Sequence, residues 1–228
     1  DTEGYLAETR EEIQGFDPTK HYRSQASSLS GPGCTGHCDP SDLPVEKLLA
    51  SHISPPLAED VVVTNKVSQN LHAELLLHHL GVAVVGDGST AAGARVVRAF
   101  LENIGVGKED FVFFDGSGLS GHDLVAPRAT VTLLRYASGQ PWFADWKRSL
   151  PVGGEDGSLA DRFTQEPLKD HVFAKTGTLG EARALSGYLE CASGKTVIFS
   201  IMVGDHFPGS HADRTVMDGI VAAIAATN

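Results

Sequence analysis

Residues 172–203 read VFAKTGTLGEARALSGYLECASGKTVIFSIMV, and the fold is decided there. Three apolar runs, 172–178, 184–191 and 196–203, are separated by short polar connections containing Gly180 and Ser193-Gly194. β-branched and aromatic runs bounded by glycine turns read as strands, and connections this short join antiparallel neighbours. Toward the C-terminus, residues 211–226 carry Val216, Ile220, Val221 and Ile224 at helical spacing, which predicts a helix covering that sheet through those side chains.

Toward the N-terminus the pattern turns helical. Pro127 opens a helix to about Ala137, and a short helix should hold Trp142 and Trp146, with Phe143 as part of a core anchor. A helix over 89–103 aligns Ala92, Val96, Val97, Phe100 and Leu101 on one stripe and stops at Gly105. Residues 111–114 read as a short buried strand, followed by a Gly/Ser loop over 115–122. Pro55-Pro56 starts a helix over 57–80, with Val61, Val62, Leu71, Leu75, Leu76 and Leu80 as its apolar set and a break at 68–70. Residues 1–45, rich in Ser, Gly, Pro and Asp, read as loop or linker from an upstream region, leaving 46–228 as the folded part. The class is α+β, a helical layer on an antiparallel sheet.

The 228 residues carry 29 acidic against 18 basic side chains, a formal charge of −11, which argues against a nucleic-acid surface. No apolar run reaches the ~20 residues of a membrane span, and Asp1-Thr2-Glu3-Gly4 does not begin a signal peptide. Three cysteines make no disulfide framework, although Cys34 and Cys38 are close enough to pair.

Chemistry concentrates in two places. Lys175-Thr176-Gly177-Thr178 lies in a strand, where alternation sends Lys175 and Thr176 to opposite faces. Both reach one ligand only if it lies along the strand's edge, an approach that Gly177 leaves open. The plainer reading is an edge lysine that resists aggregation. Ser68-Gln69-Asn70 is the weaker signal, since residues two apart do not share a helix face. Joint use of Ser68 and Asn70 demands a turn, with Asn70 capping the following helix.

Together, Ser-x-Asn followed by Lys-Thr-Gly in a late strand are two of the three signatures of serine penicillin-recognising enzymes. The stretch from Thr64 to Glu74, with Gly88-Ser89-Thr90-Ala91-Ala92-Gly93, Asp115-Gly116-Ser117-Gly118-Leu119-Ser120, Asp156-Gly157-Ser158-Leu159 and Lys175 to Leu179, resembles the low-molecular-mass class C D-alanyl-D-alanine carboxypeptidase/endopeptidase family, in that family's order. The likeness covers roughly residues 50–225. The third signature, Ser-x-x-Lys, is absent, so the chain resembles the C-terminal part of the family's β-lactamase/transpeptidase-like domain.

The resemblance implies acyl transfer through a serine ester on peptidoglycan stem peptides and β-lactams, without cofactor or metal. Ser68 would relay a proton to the leaving amine, Asn70 would bind the substrate amide, and Lys175 would supply positive charge. Thr176 and Thr178 would hold the terminal carboxylate, with Gly177 and Leu179 lining the same edge, and the Thr178 N–H would form half of an oxyanion hole. It also implies a partner, the N-terminal half bearing Ser-x-x-Lys. Two strands from that half would cover an otherwise unpaired sheet edge, the alternative being a homo-oligomer. The location implied is the periplasm or cell envelope.

Other readings compete. Gly86-x-Gly88-x-x-Ala91 after the apolar 82–85 matches a dinucleotide-binding fingerprint, though no further βαβ units follow. A catalytically silent peptidoglycan-binding remnant is the third alternative. No serine has glycine two places away on both sides, so the 115–120 stretch is not a nucleophile elbow but a loop bordering the cleft. Cys34-x-x-His37-Cys38 offers three ligands at most, and His72, His78 and His79 fall on a helix without metal spacing.

Overall fold

A computed structural model describes residues 53–207 and 209–228; the 1–45 segment, with Cys34 and Cys38, lies outside the described residues. In chain order the helices are α1 (Leu57–Lys66), α2 (Asn70–Val85), α3 (Thr90–Asn103), α4 (Pro127–Ser138), α5 (Phe143–Ser149) and α6 (Ala212–Thr227). The strands are β1 (Phe111–Val112), β2 (Leu124–Val125), β3 (Val172–Leu179), β4 (Ala182–Glu190) and β5 (Thr196–Val203). No described helix is long and apolar enough to cross a membrane.

The late strands pair as expected, antiparallel in the order β3-β4-β5, with Val172 opposite Leu189 and Glu190 opposite Thr196. One face of the sheet packs Val172, Ala174, Leu185, Leu189 and Phe199 against Met217, Val221 and Ala225 of α6. On the other face Tyr188 is fully buried with Leu134 and Leu150, and Phe143 and Trp146 pack around them. Each fully buried Val, Leu, Phe or Met among them contributes about 1.5–3 kcal/mol by leaving water. The Tyr188 hydroxyl donates to the Leu134 carbonyl at 2.8 Å, and burial pushes its pKa up to about 12. Gly187 is obligatory in the centre, because a Cβ there would lie 2.1 Å from the Phe173 carbonyl oxygen.

Three expectations need correction. On α6, Val216 and Ile220 are 60% and 41% exposed, and the stripe that covers the sheet is Met217, Val221 and Ala225. Val221 and Ile224 do face the sheet as expected, but the helix is apolar around more of its circumference than one face requires, so periodicity alone also drew in Val216 and Ile220 and passed over Met217 and Ala225. On α2, Leu71, Leu75 and Leu80 are exposed, and the buried residues are Leu77 and Gly81. Contact with α3 is so close there that a Cβ on Gly93 would lie 2.2 Å from the Leu77 carbonyl oxygen. Trp142 is 46% exposed at the entrance of α5, leaving Phe143 and Trp146 as that helix's anchor.

The dinucleotide fingerprint also fails. Residues 82–85 are the last turn of α2 rather than a strand, and Gly86, at φ +71°, caps it. The start of α3 is already occupied, since Asp87 accepts the Ser89 N–H and hydroxyl and Ser89 caps Ala92. A helix-turn-helix has no strand to present a pyrophosphate to that terminus.

Candidate active site

The helix break expected at 68–70 is present and is narrow. α1 ends at Lys66, Ser68 takes a left-handed φ of +57°, and α2 begins at Asn70. The Gln69 N–H returns to the Thr64 carbonyl at 3.0 Å, which closes the turn. The reversal lets Ser68 leave the helical path, so Ser68 and Asn70 need not obey helical spacing. Asn70 does not cap α2, contrary to the sequence expectation: it is the first helical residue, exposed, with no side-chain hydrogen bond among the described residues.

β3 is an edge strand. Among the described residues its outer side is met only at the start, where the Gly153 N–H reaches the Val172 carbonyl and the Ala174 N–H reaches the Pro151 carbonyl at 3.0 Å. Alternate residues of an antiparallel strand point their backbone groups the same way. Thr176 and Thr178 share that parity, so the Thr178 N–H faces the open edge. From Lys175 to Leu179 that edge has no ladder partner among the described residues.

The two motifs meet across this edge. Lys175 Nζ donates to Ser68 Oγ at 3.0 Å and to the Thr176 carbonyl at 2.8 Å, joining residues 107 positions apart. Burial holds the Lys175 ammonium below the ordinary lysine value. On the strand's opposite face the Thr176 hydroxyl donates to Ser158 Oγ at 2.7 Å. Gly177 and Thr178 are exposed, and Leu179 is half-buried.

Beyond Thr178 lies a cavity of about 520 Å³, walled by Gly177, Thr178 and Leu179 with Ser120 and Asp123 from the 115–123 loop. Glu74 of α2 ties that loop down by accepting the Gly116 N–H at 2.7 Å. Gly116 has no room for a side chain, since a Cβ would sit 2.6 Å from the Ala73 carbonyl oxygen. Burial pulls the Asp115 carboxyl upward, but the N–H groups of Gly118 and Ser120, with the Asp123 and Ser117 side chains, more than offset it and hold it below its ordinary value. Burial and the neighbouring Asp115 push Asp123 the other way.

Further residues fix α1 and went unassigned in the sequence. Asn65 donates to the buried Ser149 Oγ at 2.8 Å, and Lys66 forms an ion pair with Asp156 at 2.6 Å. Their signal was adjacency: Asn65 and Lys66 directly precede the Ser68 turn, and Asp156 and Ser158 stand in one of the resembling blocks. His72 lies beside Asp60 and His78 beside Glu74, and among the described residues no group of three His, Cys, Asp or Glu could hold a metal ion.

The model of the D-Ala-D-Ala carboxypeptidase 3 (S13) family matches residues 40–227, 188 of the 228 residues. The chain belongs to this family. It is 38% identical over 191 residues to a D-alanyl-D-alanine carboxypeptidase of Actinomadura sp. (strain R39), covering 82% of this chain and 35% of that enzyme. It is 30% identical over 172 residues to the carboxypeptidase DacB of Haemophilus influenzae, covering 74% of this chain and 36% of the relative. The crystal structure of penicillin binding protein 4 from Haemophilus influenzae superposes with a TM-score of 0.73 at 26% identity, over 82% of this chain and 43% of that one. A class A β-lactamase from Bacteroides cellulosilyticus shares the fold, at 19% identity and a TM-score of 0.57. This S13 chain therefore spans less than half the length of these carboxypeptidase relatives and of the penicillin binding protein 4 structure. The expected α+β, β-lactamase/transpeptidase-like class holds.

Proposed function

We propose that residues 46–228 supply the proton-handling and carboxylate-binding side of a serine D-Ala-D-Ala carboxypeptidase/endopeptidase site, completed by a Ser-x-x-Lys segment from another part of the protein. The observation that carries this is the Lys175 ammonium donating to the Ser68 hydroxyl at 3.0 Å beside an open strand edge. An oriented hydroxyl next to a partly desolvated ammonium is suited to passing a proton, because the nearby positive charge favours its alkoxide-like state.

The edge residues fit the remaining tasks. A peptide laid along β3 would place its terminal carboxylate at the hydroxyls of Thr176 and Thr178, with Gly177 leaving the backbone accessible. The outward Thr178 N–H would stabilise the oxyanion as the incoming serine Oγ bonds to the carbonyl carbon of the penultimate D-alanine. The C–N bond then breaks, D-alanine leaves with a proton relayed through Ser68, and water hydrolyses the ester. Asn70, exposed beside Ser68 without a side-chain partner among the described residues, is free to bind the substrate amide. β-Lactams, which carry a cyclic amide and a carboxylate, would acylate the same serine. The solved structure of the Haemophilus influenzae relative complexed with a β-lactam supports that ligand class.

The outer edge of β5 has no partner among the described residues, which fits strands arriving from the serine-bearing half better than a finished sheet. Acting on peptidoglycan places the site in the periplasm or cell envelope. Intact-mass measurement with a labelled penicillin tests the reading. The 228-residue chain alone should form no covalent adduct, and mixing it with the serine-bearing half should produce one on the other polypeptide. An adduct on this chain alone, or none in the mixture, sinks the proposal, and the second result leaves a catalytically silent peptidoglycan-binding remnant.

A further inference from the structure

The Ser68–Lys175 contact spans two elements that share no backbone hydrogen bond, so something else must set their distance. Three consecutive residues of one turn, Asp156-Gly157-Ser158, touch both sides. Lys66, the last residue of α1, places Nζ 2.7 and 2.6 Å from the two Asp156 carboxylate oxygens. Asp156 also accepts the Val152 N–H at 2.9 Å, and Val152 bridges to Phe173 of β3. Gly157, at φ +57°, is pressed against α1, since a Cβ there would stand 2.7 Å from the Lys66 carbonyl oxygen. Ser158 Oγ accepts the Thr176 hydroxyl at 2.7 Å.

We infer that this turn is a bracket that sets the width of the groove: Lys66 and Asp156 are positioning residues for Ser68 and Lys175, and Ser158 is a positioning residue for the Thr176 hydroxyl. The inference deepens the function proposed above and rests on it only for its activity arm. Lys66 is two residues from Ser68 and Ser158 meets the residue next to Lys175, so a displacement of the turn moves both sides of the groove. An ion pair with one side chain 17% and the other 40% exposed adds little to stability by itself. Its weight lies in geometry, since both carboxylate oxygens meet one ammonium while a third contact ties the carboxylate to the β3 side. The bond to Ser158 holds Thr176 in one rotamer before a carboxylate arrives.

The Lys175 titration, followed by NMR in the 228-residue chain with labelled lysine, separates groove-setting from simple support of the fold. Among the described residues its ammonium meets only the Ser68 hydroxyl and the Thr176 carbonyl in hydrogen bonds, and burial is what lowers its pKa. Asp156→Asn and Lys66→Met should open the groove to water and shift the titration upward, toward an ordinary lysine. Lys66→Arg should restore it, and Asp218→Asn, which breaks the Arg162–Asp218 ion pair elsewhere, should leave it unmoved. Should Asp156→Asn fail to fold, Asp156→Glu keeps the charge but displaces it by one methylene, and the same upward shift is expected.

With the serine-bearing half present, Ser158→Ala should raise KM for a peptide ending in D-alanine about tenfold and leave kcat nearly unchanged. An unmoved Lys175 titration in folded Asp156 and Lys66 variants overturns the bracket, as does an equal shift in Asp218→Asn. If the wild-type mixture forms no penicillin adduct, the functional reading fails, while the titration still decides the bracket.

Discussion

Replacing Ser68 by glycine and, separately, by alanine tests whether the residue is held under backbone strain for its hydroxyl. At φ +57° a residue with a Cβ sits in the left-handed region, at a cost of about 1–2 kcal/mol. Glycine escapes that cost but loses about 0.5–1 kcal/mol through the greater freedom of its unfolded chain. Both substitutions remove the bond from Lys175, so that loss cancels when the two variants are compared. Taken at the middle of the two ranges, the glycine variant should then be more stable than the alanine variant by about 0.75 kcal/mol. For a chain of this size that is about 1–4 °C in Tm.

Thermal and urea unfolding of the 228-residue chain measure the difference directly. A glycine variant no more stable than the alanine variant would show that Ser68 is unstrained, and the reasoning from its dihedral fails. In the mixture with the serine-bearing half, both variants should slow penicillin acylation sharply. Stability would then improve from alanine to glycine while activity stays lost in both, the separation expected where a local backbone cost is retained for chemistry.

Lys175 predicts a pH effect of definite sign. Its lowered pKa means the folded chain binds fewer protons than the unfolded chain between that lowered value and the ordinary one, so stability should rise with pH across that window. Lys175→Met should flatten the rise in urea titrations over the alkaline range. Glu74→Ala should leave the Gly116 N–H without its acceptor and speed amide exchange at Gly118 and Ser120, with little change in the β4 amides. Gly93→Ala forces a Cβ to within 2.2 Å of the Leu77 carbonyl oxygen, so α2 and α3 must separate, at a cost of about 1–3 kcal/mol or more, read as a fall in Tm.

What could be read from the chain before its structure followed the reach of each signal. β3, β4 and β5 were legible because their glycine turns and apolar runs are local, and their register follows once short connections make the pairing antiparallel. β2 was not, because Leu124-Val125 is only two residues long and exposed, and becomes a strand solely by pairing with Phe111-Val112. The buried stripe of α6 was half legible: Val221 and Ile224 face the sheet as expected, but Val216 and Ile220, as apolar as the Met217 that touches it, point to solvent. Ser68, Asn70 and Lys175 could be singled out by residue type and order. Lys66 and Asp156 stood in blocks that resemble the family, but their pairing could not be read, because a contact across 90 positions leaves no periodic trace.

The groove brings together three positions that break local rules. A serine in left-handed backbone, a lysine held partly out of water and a bare glycine edge within a strand each run against what a stable chain would choose. Each makes sense only with the other two: the reversed turn points Ser68 at Lys175, the partial burial of Lys175 strengthens its pull on that hydroxyl, and the open edge leaves space beside both. Had the strand edge been covered, or the helix continued through residue 68, the same side chains would have had no common ligand to face. The joint placement, more than any one of the motifs, is therefore what supports an acyl-transfer site.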